Sequence, residues 1–150
     1  MPVPIESNFT DDRLYGRSVD EVVQKVRGIY AREILRREFL QSEYEAAKGA
    51  FLLQLRTNCE WDWNAFRRLT SAMYDVAEEF KGQPSIEKWI AEGFWHCDSM
   101  INAIAGHANF SRFPEDSYRD GVELIHNLAS FLFSGQNPYN DDTLRKKAKG

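Results

Sequence analysis

Two pairs of glutamate and histidine have the spacing in this chain that is best suited to binding a metal ion. Glu123 and His126 form a Glu-x-x-His pair, and Glu92 and His96 lie four residues apart. On a helix, residues three or four apart share a face, and di-iron bundles use carboxylates with Glu-x-x-His pairs of this kind. One hypothesis is therefore a metal-dependent helical-bundle enzyme with four ligands: Glu92, His96, Glu123 and His126.

The metal hypothesis is weak because the Glu-x-x-His pair occurs once, whereas a di-iron bundle needs two such pairs and two further glutamates. The three histidines, His96, His107 and His126, also have no spacing that selects for zinc. The sequence therefore favours a protein without a metal site, and no cofactor is predicted.

Neither cysteine is a strong candidate nucleophile. Cys97 follows His96, but adjacent helical residues point about 100° apart. Cys97 also falls within an apolar stripe, as expected for a small buried side chain, and Cys59 has Glu60 beside it instead of a cation. P-loop, GxGxxG, GxSxG and CxxC motifs do not occur. Catalysis is the less favoured interpretation.

Residues 86–105 are predicted to form the central helix of a bundle, because their apolar side chains cover roughly half of a helical wheel. Trp95 falls on the opposite side, near Asp98. Either another segment covers this indole, or it is an exposed anchor for a partner, since tryptophan often dominates interface energy. The residues predicted to bind a protein partner are Trp95, Asp98, Glu92, Phe110, Arg112, Leu35 and Phe39.

The overall pattern predicts an all-α fold: a four- to five-helix bundle with a long N-terminal helix and a disordered C-terminal tail. Prolines occur only at positions 2, 4, 84, 114 and 138, and the alternation typical of strands is missing. The predicted organisation is an extended N-terminal segment over 1–17, a helical bundle over 18–135 and a flexible polar tail over 136–150.

The first helix is predicted to start at a capping box over 18–21, and its apolar spacing continues to Leu55. A single helix of that length would span about 60 Å. It either breaks near Gln41–Ser42 or continues, and the lack of Gly or Pro there favours continuity. A second apolar stripe on the far side, with Leu35, Phe39 and Leu53, predicts a homodimer.

The later helices have clear boundary signals. Asp62 is a predicted N-cap, with Trp61 and Phe66 at the spacing of a hydrophobic staple. A stop is predicted at Gly82–Pro84, and a last helix from Glu115 to Gly135. Four residues from three of the helices are expected to be fully buried: Met73, Phe94, Ile101 and Ile125.

Composition predicts a single cytoplasmic domain that acts on another protein. The 150 residues are 43% apolar and carry a net charge of −4, and basic residues occur only in short runs, so nucleic acid is not the expected partner. No secretory signal or membrane-length apolar run is present. The favoured function is non-catalytic protein–protein binding, as by an inhibitor, an immunity protein or an assembly subunit, with a partner whose surface is basic.

Overall fold

The computed structural model describes residues 19–45, 50–106 and 115–150, and the regular structure in these ranges is entirely helical. The predicted all-α class is therefore confirmed. The predicted extended segment 1–17 lies outside the described residues. Six helices are described: α1 (Val19–Tyr44), α2 (Phe51–Asn58), α3 (Trp63–Glu79), α4 (Lys88–Ala105), α5 (Glu115–Ser134) and α6 (Thr143–Lys149).

Contacts within the chain divide it into two units, residues 1–35 and residues 36–150. In the first unit, the described residues belong to α1, and Val22, Val23 and Val26 are exposed there. The second unit contains the hydrophobic core.

The predicted continuous helix from 18 to 55 is wrong. Ala50 has φ −66° and ψ 141°, which is an extended conformation, so α2 begins anew at Phe51. The alternative break near Gln41–Ser42 is also misplaced, because α1 continues to Tyr44 and the Ser42 hydroxyl donates to the Phe39 carbonyl. The apolar spacing of α1 carries on into α2 in the sequence because both helices bury apolar side chains in the same core.

Glu43 stabilises the start of α2. Its side chain is buried, and one carboxylate oxygen accepts a hydrogen bond of 2.9 Å from the backbone N–H of Leu52. The first N–H groups of a helix have no partner within it. Ala50, the residue before α2, has a methyl side chain without a hydrogen-bond acceptor and so cannot cap the helix. A carboxylate from the preceding helix takes this role instead.

The boundary signals of the later helices are confirmed. The Asp62 carboxylate accepts hydrogen bonds from the N–H groups of Asn64 and Ala65, which caps α3. The rings of Trp61 and Phe66 lie 4.9 Å apart, as the staple predicts. Gly82 and Gly135 adopt the positive φ angles, 79° and 70°, that follow α3 and α5.

The core lies mainly between α5 and the helices that pack against it. Met73, Phe94, Ile101 and Ile125 are all 0% exposed, which confirms the predicted core residues. Helix α4 packs against α2 and α5, whereas α5 packs against α3, α4 and α6, so the core is not centred on α4 alone. Across the described ranges, none of the helices has the length and hydropathy that crossing a membrane requires.

The predicted flexible tail over 136–150 is wrong in its last part, where α6 packs against α3 and α5. Leu144 and Ala148, which are one helical turn apart, are both 0% exposed. The Thr70 hydroxyl donates to the carbonyl of Ala148 at 2.7 Å, and the Lys149 ammonium lies 2.8 Å from the carboxylate of Asp75. This basic helix is therefore held by two buried apolar residues together with polar contacts to α3.

Candidate protein-binding surface

Trp95 is the most exposed large apolar side chain among the described residues, with 63% of its surface open to solvent. It lies on the outer side of α4, while its neighbours Phe94 and Cys97 are fully buried. The helical periodicity thus placed the indole correctly. Tryptophan is enriched among the residues that dominate binding energy, so an indole this exposed is a candidate contact for a partner.

Helix α5 contributes a second exposed aromatic residue, Phe133, which is 50% exposed. The two helices are bridged by His126 and Asp98, whose Nδ1 and carboxylate oxygen lie 3.2 Å apart. We refer to the surface formed by Trp95, Asp98, His126 and Phe133 as the α4–α5 face.

Two open depressions lie along the α4–α5 face, and both include Asp98 and His126. The larger, of about 660 Å³, extends to Asn102 and Glu123. The smaller, of about 370 Å³, extends to Phe133. The bridge between Asp98 and His126 therefore lies between a polar depression and a more apolar one.

Acidic residues predominate on α4 and α5, which together contain six acids and two bases. Lys88 lies 3.9 Å from Glu92, and Arg119 lies 3.9 Å from Asp116. These pairs are largely exposed, so they add little to stability. Of these acids, Asp98 lies on the α4–α5 face itself, and Glu123 lines its larger depression.

The four predicted metal ligands do not form one site. Glu92 and His96 line a groove of about 250 Å³ beside Tyr44 and Trp89, whereas Glu123 and His126 line the depression that contains Asp98. Within the described ranges, no three His, Cys, Asp or Glu side chains are placed to hold a metal ion. The two pairs line different grooves. Helical spacing predicts that the two members of a pair share one side of their helix, but it does not predict which other helix that side faces.

The two cysteines have opposite environments. Cys97 is fully buried, and burial raises the pKa of its thiol well above the ordinary value, so the reactive thiolate is disfavoured. Cys59 is exposed and ends α2 in the left-handed conformation, with φ 53°. Cys97 therefore packs as a small apolar side chain, as its sequence position predicted.

The remaining predicted contact residues are only partly accounted for. Phe39 is half-buried and packs against the core of its own chain. Phe110, Arg112 and the side chain of Leu35 lie outside the described residues. Phe133 was not predicted, although its position just beside the apolar stripe of α5 could have indicated it.

Comparisons of the chain with protein-family models, with curated proteins and with solved structures found no match. Any function must therefore be inferred from the surface itself.

Proposed function

We propose that this protein acts in the cytoplasm by binding another protein through the α4–α5 face, without catalysis of its own. The observation that carries the proposal is the exposure of Trp95 on a helix whose other side is fully packed. Burying an indole on association removes a large apolar area from water, and tryptophan is enriched among residues that dominate binding energy.

The partner should present a basic surface around an apolar residue. Trp95 and Phe133 supply apolar anchors, and Asp98 lies three residues from Trp95 on α4 and lines the depression that contains Phe133. Such a charge pattern accelerates encounter with a positive surface and selects against acidic proteins. These properties suit an inhibitor, an immunity-like protein or an assembly subunit.

The test is the substitution Trp95→Ala, assayed by affinity capture from the native host and by binding to each captured protein. Because the indole makes few contacts within its own chain, we expect the melting temperature to change little. Binding should weaken by about 2 kcal/mol or more. Trp63→Phe is the matched control, since it alters a tryptophan outside the α4–α5 face and keeps an aromatic ring there.

Equal capture by wild type and Trp95→Ala would contradict the proposal. Iodide quenching gives a second test that needs no partner: in a variant that keeps Trp95 and replaces the other three tryptophans by phenylalanine, iodide should quench the fluorescence strongly. Protection of Trp95 in the free protein would contradict an exposed anchor. Stoichiometric iron, manganese or zinc in the purified protein would instead favour the metal-dependent alternative.

A further inference from the structure

A second concave surface lies between α3, α5 and α6 and shares no residue with the α4–α5 face. It is an open cleft of about 340 Å³. We refer to it as the α3–α6 cleft. Residues from all three helices line it, among them Trp63, Phe66, Arg67, Asp120, Gly121 and Lys147.

The aromatic side of the α3–α6 cleft is held in place by packing. Trp63 is 38% exposed, and its ring lies nearly parallel to that of Tyr118, with the centroids 5.7 Å apart and the planes at 24°. The Phe66 ring meets it edge-on at 5.5 Å. At Gly121, a Cβ atom would lie 2.8 Å from Trp61, so α5 approaches these aromatics as closely as it can. Trp63 is therefore a fixed, partly open platform.

Two cations also line the cleft: Arg67, one helical turn from Trp63 on α3, and Lys147 on α6. Both are exposed, and neither forms an ion pair with another residue of the described ranges, although the Lys147 ammonium lies 5.5 Å from the centroid of the Tyr139 ring. On the same helix as Lys147, Lys149 differs because its ammonium contacts the carboxylate of Asp75. Docking of α6 brings Lys147 to the cleft that Arg67 already lines. Asp120 is the one acid among the residues that line it.

We propose that the α3–α6 cleft binds a nucleoside phosphate, either as a free nucleotide or as one nucleotide of a single strand. The base stacks on Trp63, and the phosphate pairs with Arg67 and Lys147. Asp120 accepts a hydrogen bond from an N–H group of the base. Stacking on an aromatic side chain combined with cationic contacts to phosphate is how proteins hold unpaired nucleotides, and the cleft volume lies within the range of small-ligand sites.

The experiment is calorimetric titration of the whole protein at low salt with AMP, and separately with adenosine and with inorganic phosphate. AMP should bind, and each of the other two should bind about tenfold more weakly, because each keeps only one of the two contacts. Lys147→Gln and Arg67→Gln should each weaken AMP binding about tenfold, since each removes a charge-assisted contact.

Matched controls separate a defined site from general attraction to phosphate. Lys146→Gln removes the same charge from the neighbouring exposed residue of α6, which does not line the cleft, and should leave the affinity for AMP unchanged. Trp63→Leu should weaken AMP binding about tenfold, whereas Trp95→Leu should have no effect. The two cleft cations are exposed, so their variants report on binding even where Trp63→Leu destabilises the fold.

A single strand of about ten nucleotides identifies the source of the ligand. Binding of the strand with displacement of AMP, and with a steeper dependence on salt, assigns the cleft to single-stranded nucleic acid. AMP binding that the strand does not displace assigns it to free nucleotides. Absence of binding by both AMP and the strand, or equal weakening by Lys146→Gln and Lys147→Gln, overturns the proposal.

Discussion

Glu43 is the one charged side chain that is buried in the part of the chain that the structure describes. It is 4% exposed, and its carboxylate accepts from the backbone of α2. Burial raises the pKa of this carboxyl above its ordinary value, and the N–H groups of Leu52 and Phe51 and the charge of Arg68 oppose that effect only in part. The folded protein therefore pays a cost for keeping this acid ionised.

The pH dependence of stability follows from the raised pKa of Glu43. The folded state holds the proton more tightly than the unfolded state, so this group's contribution to stability is largest at low pH and is lost as pH rises from the ordinary pKa of 4.5 through the raised value. Glu43→Gln removes the titration and keeps an acceptor. Urea unfolding should show that this variant gains stability relative to wild type between pH 4 and pH 7.

The control for Glu43→Gln is Glu45→Gln, an exposed glutamate just beyond the end of α1. It should show no comparable gain between the two pH values. If the gain of Glu43→Gln is no larger than that of Glu45→Gln, the Glu43 carboxyl binds its proton no more tightly in the folded state than in the unfolded state.

Asp62 and Glu43 both cap a helix, but only the cap at Asp62 could be predicted from the sequence. The cap at Asp62 was predictable because its acceptor and the N–H groups it satisfies lie within three residues. The cap at Glu43 was not, because its partner lies nine residues away beyond an unpredicted end of α1. Local capping can be inferred from sequence, whereas capping by a distant residue depends on packing.

At the scale of elements, α6 is the clearest departure from the sequence-based prediction. Its composition is polar and basic, which is typical of a solvated tail. Only Leu144 and Ala148 form an apolar face, and two such residues do not produce a detectable helical periodicity. The bonds that hold the helix, from Thr70 and to Asp75, join residues far apart in the chain, so no local pattern could predict them.

The docking of α6 predicts that Leu144 contributes to global stability. Leu144→Ala should lower the free energy of unfolding by about 2–5 kcal/mol, since it leaves a cavity at a fully buried position. Lys146→Ala, an exposed position on the same helix, should change it by less than about 0.5 kcal/mol. Urea unfolding measures both, and equal small effects would show that α6 does not pack in solution.

The α4–α5 face shows how far helical periodicity carries a functional prediction. A helical wheel gives the direction of each side chain, so the outward direction of Trp95 was predictable from α4 alone, whereas whether another segment covers the indole was not. The wheel does not show which helix lies beside α4. The pairing of Asp98 with His126 and the separation of Glu92 from Glu123 were therefore not predictable. Faces are encoded locally, whereas sites between helices require the tertiary arrangement.

At the scale of the whole molecule, the net charge of −4 conceals an uneven distribution. Helices α4 and α5 contain six acids and two bases, while α6 contains four bases and no acid. On the two proposals above, Asp98 of the α4–α5 face would meet a basic partner, whereas Arg67 and Lys147 of the α3–α6 cleft would meet a phosphate.

The homodimer inferred from Leu35, Phe39 and Leu53 stays a prediction. A dimer should have twice the chain mass of 17.4 kDa in light scattering, and Leu35→Glu combined with Phe39→Glu should convert it into a folded monomer. Gln41→Glu, an exposed position on α1, is the control and should leave the mass unchanged. Because Phe39 packs against the core of its own chain, circular dichroism must confirm that the double variant is folded. A wild type of monomer mass at high concentration contradicts the dimer.

The contrast between the two cysteines gives the protein a built-in reporter of its own opening. A thiol-reactive dye should label Cys59 at once and without mutagenesis, because that residue is exposed. Cys97 is 0% exposed, so its modification requires the packing around α4 to open. The slow second phase of labelling would therefore time that opening under native conditions, with no denaturant added.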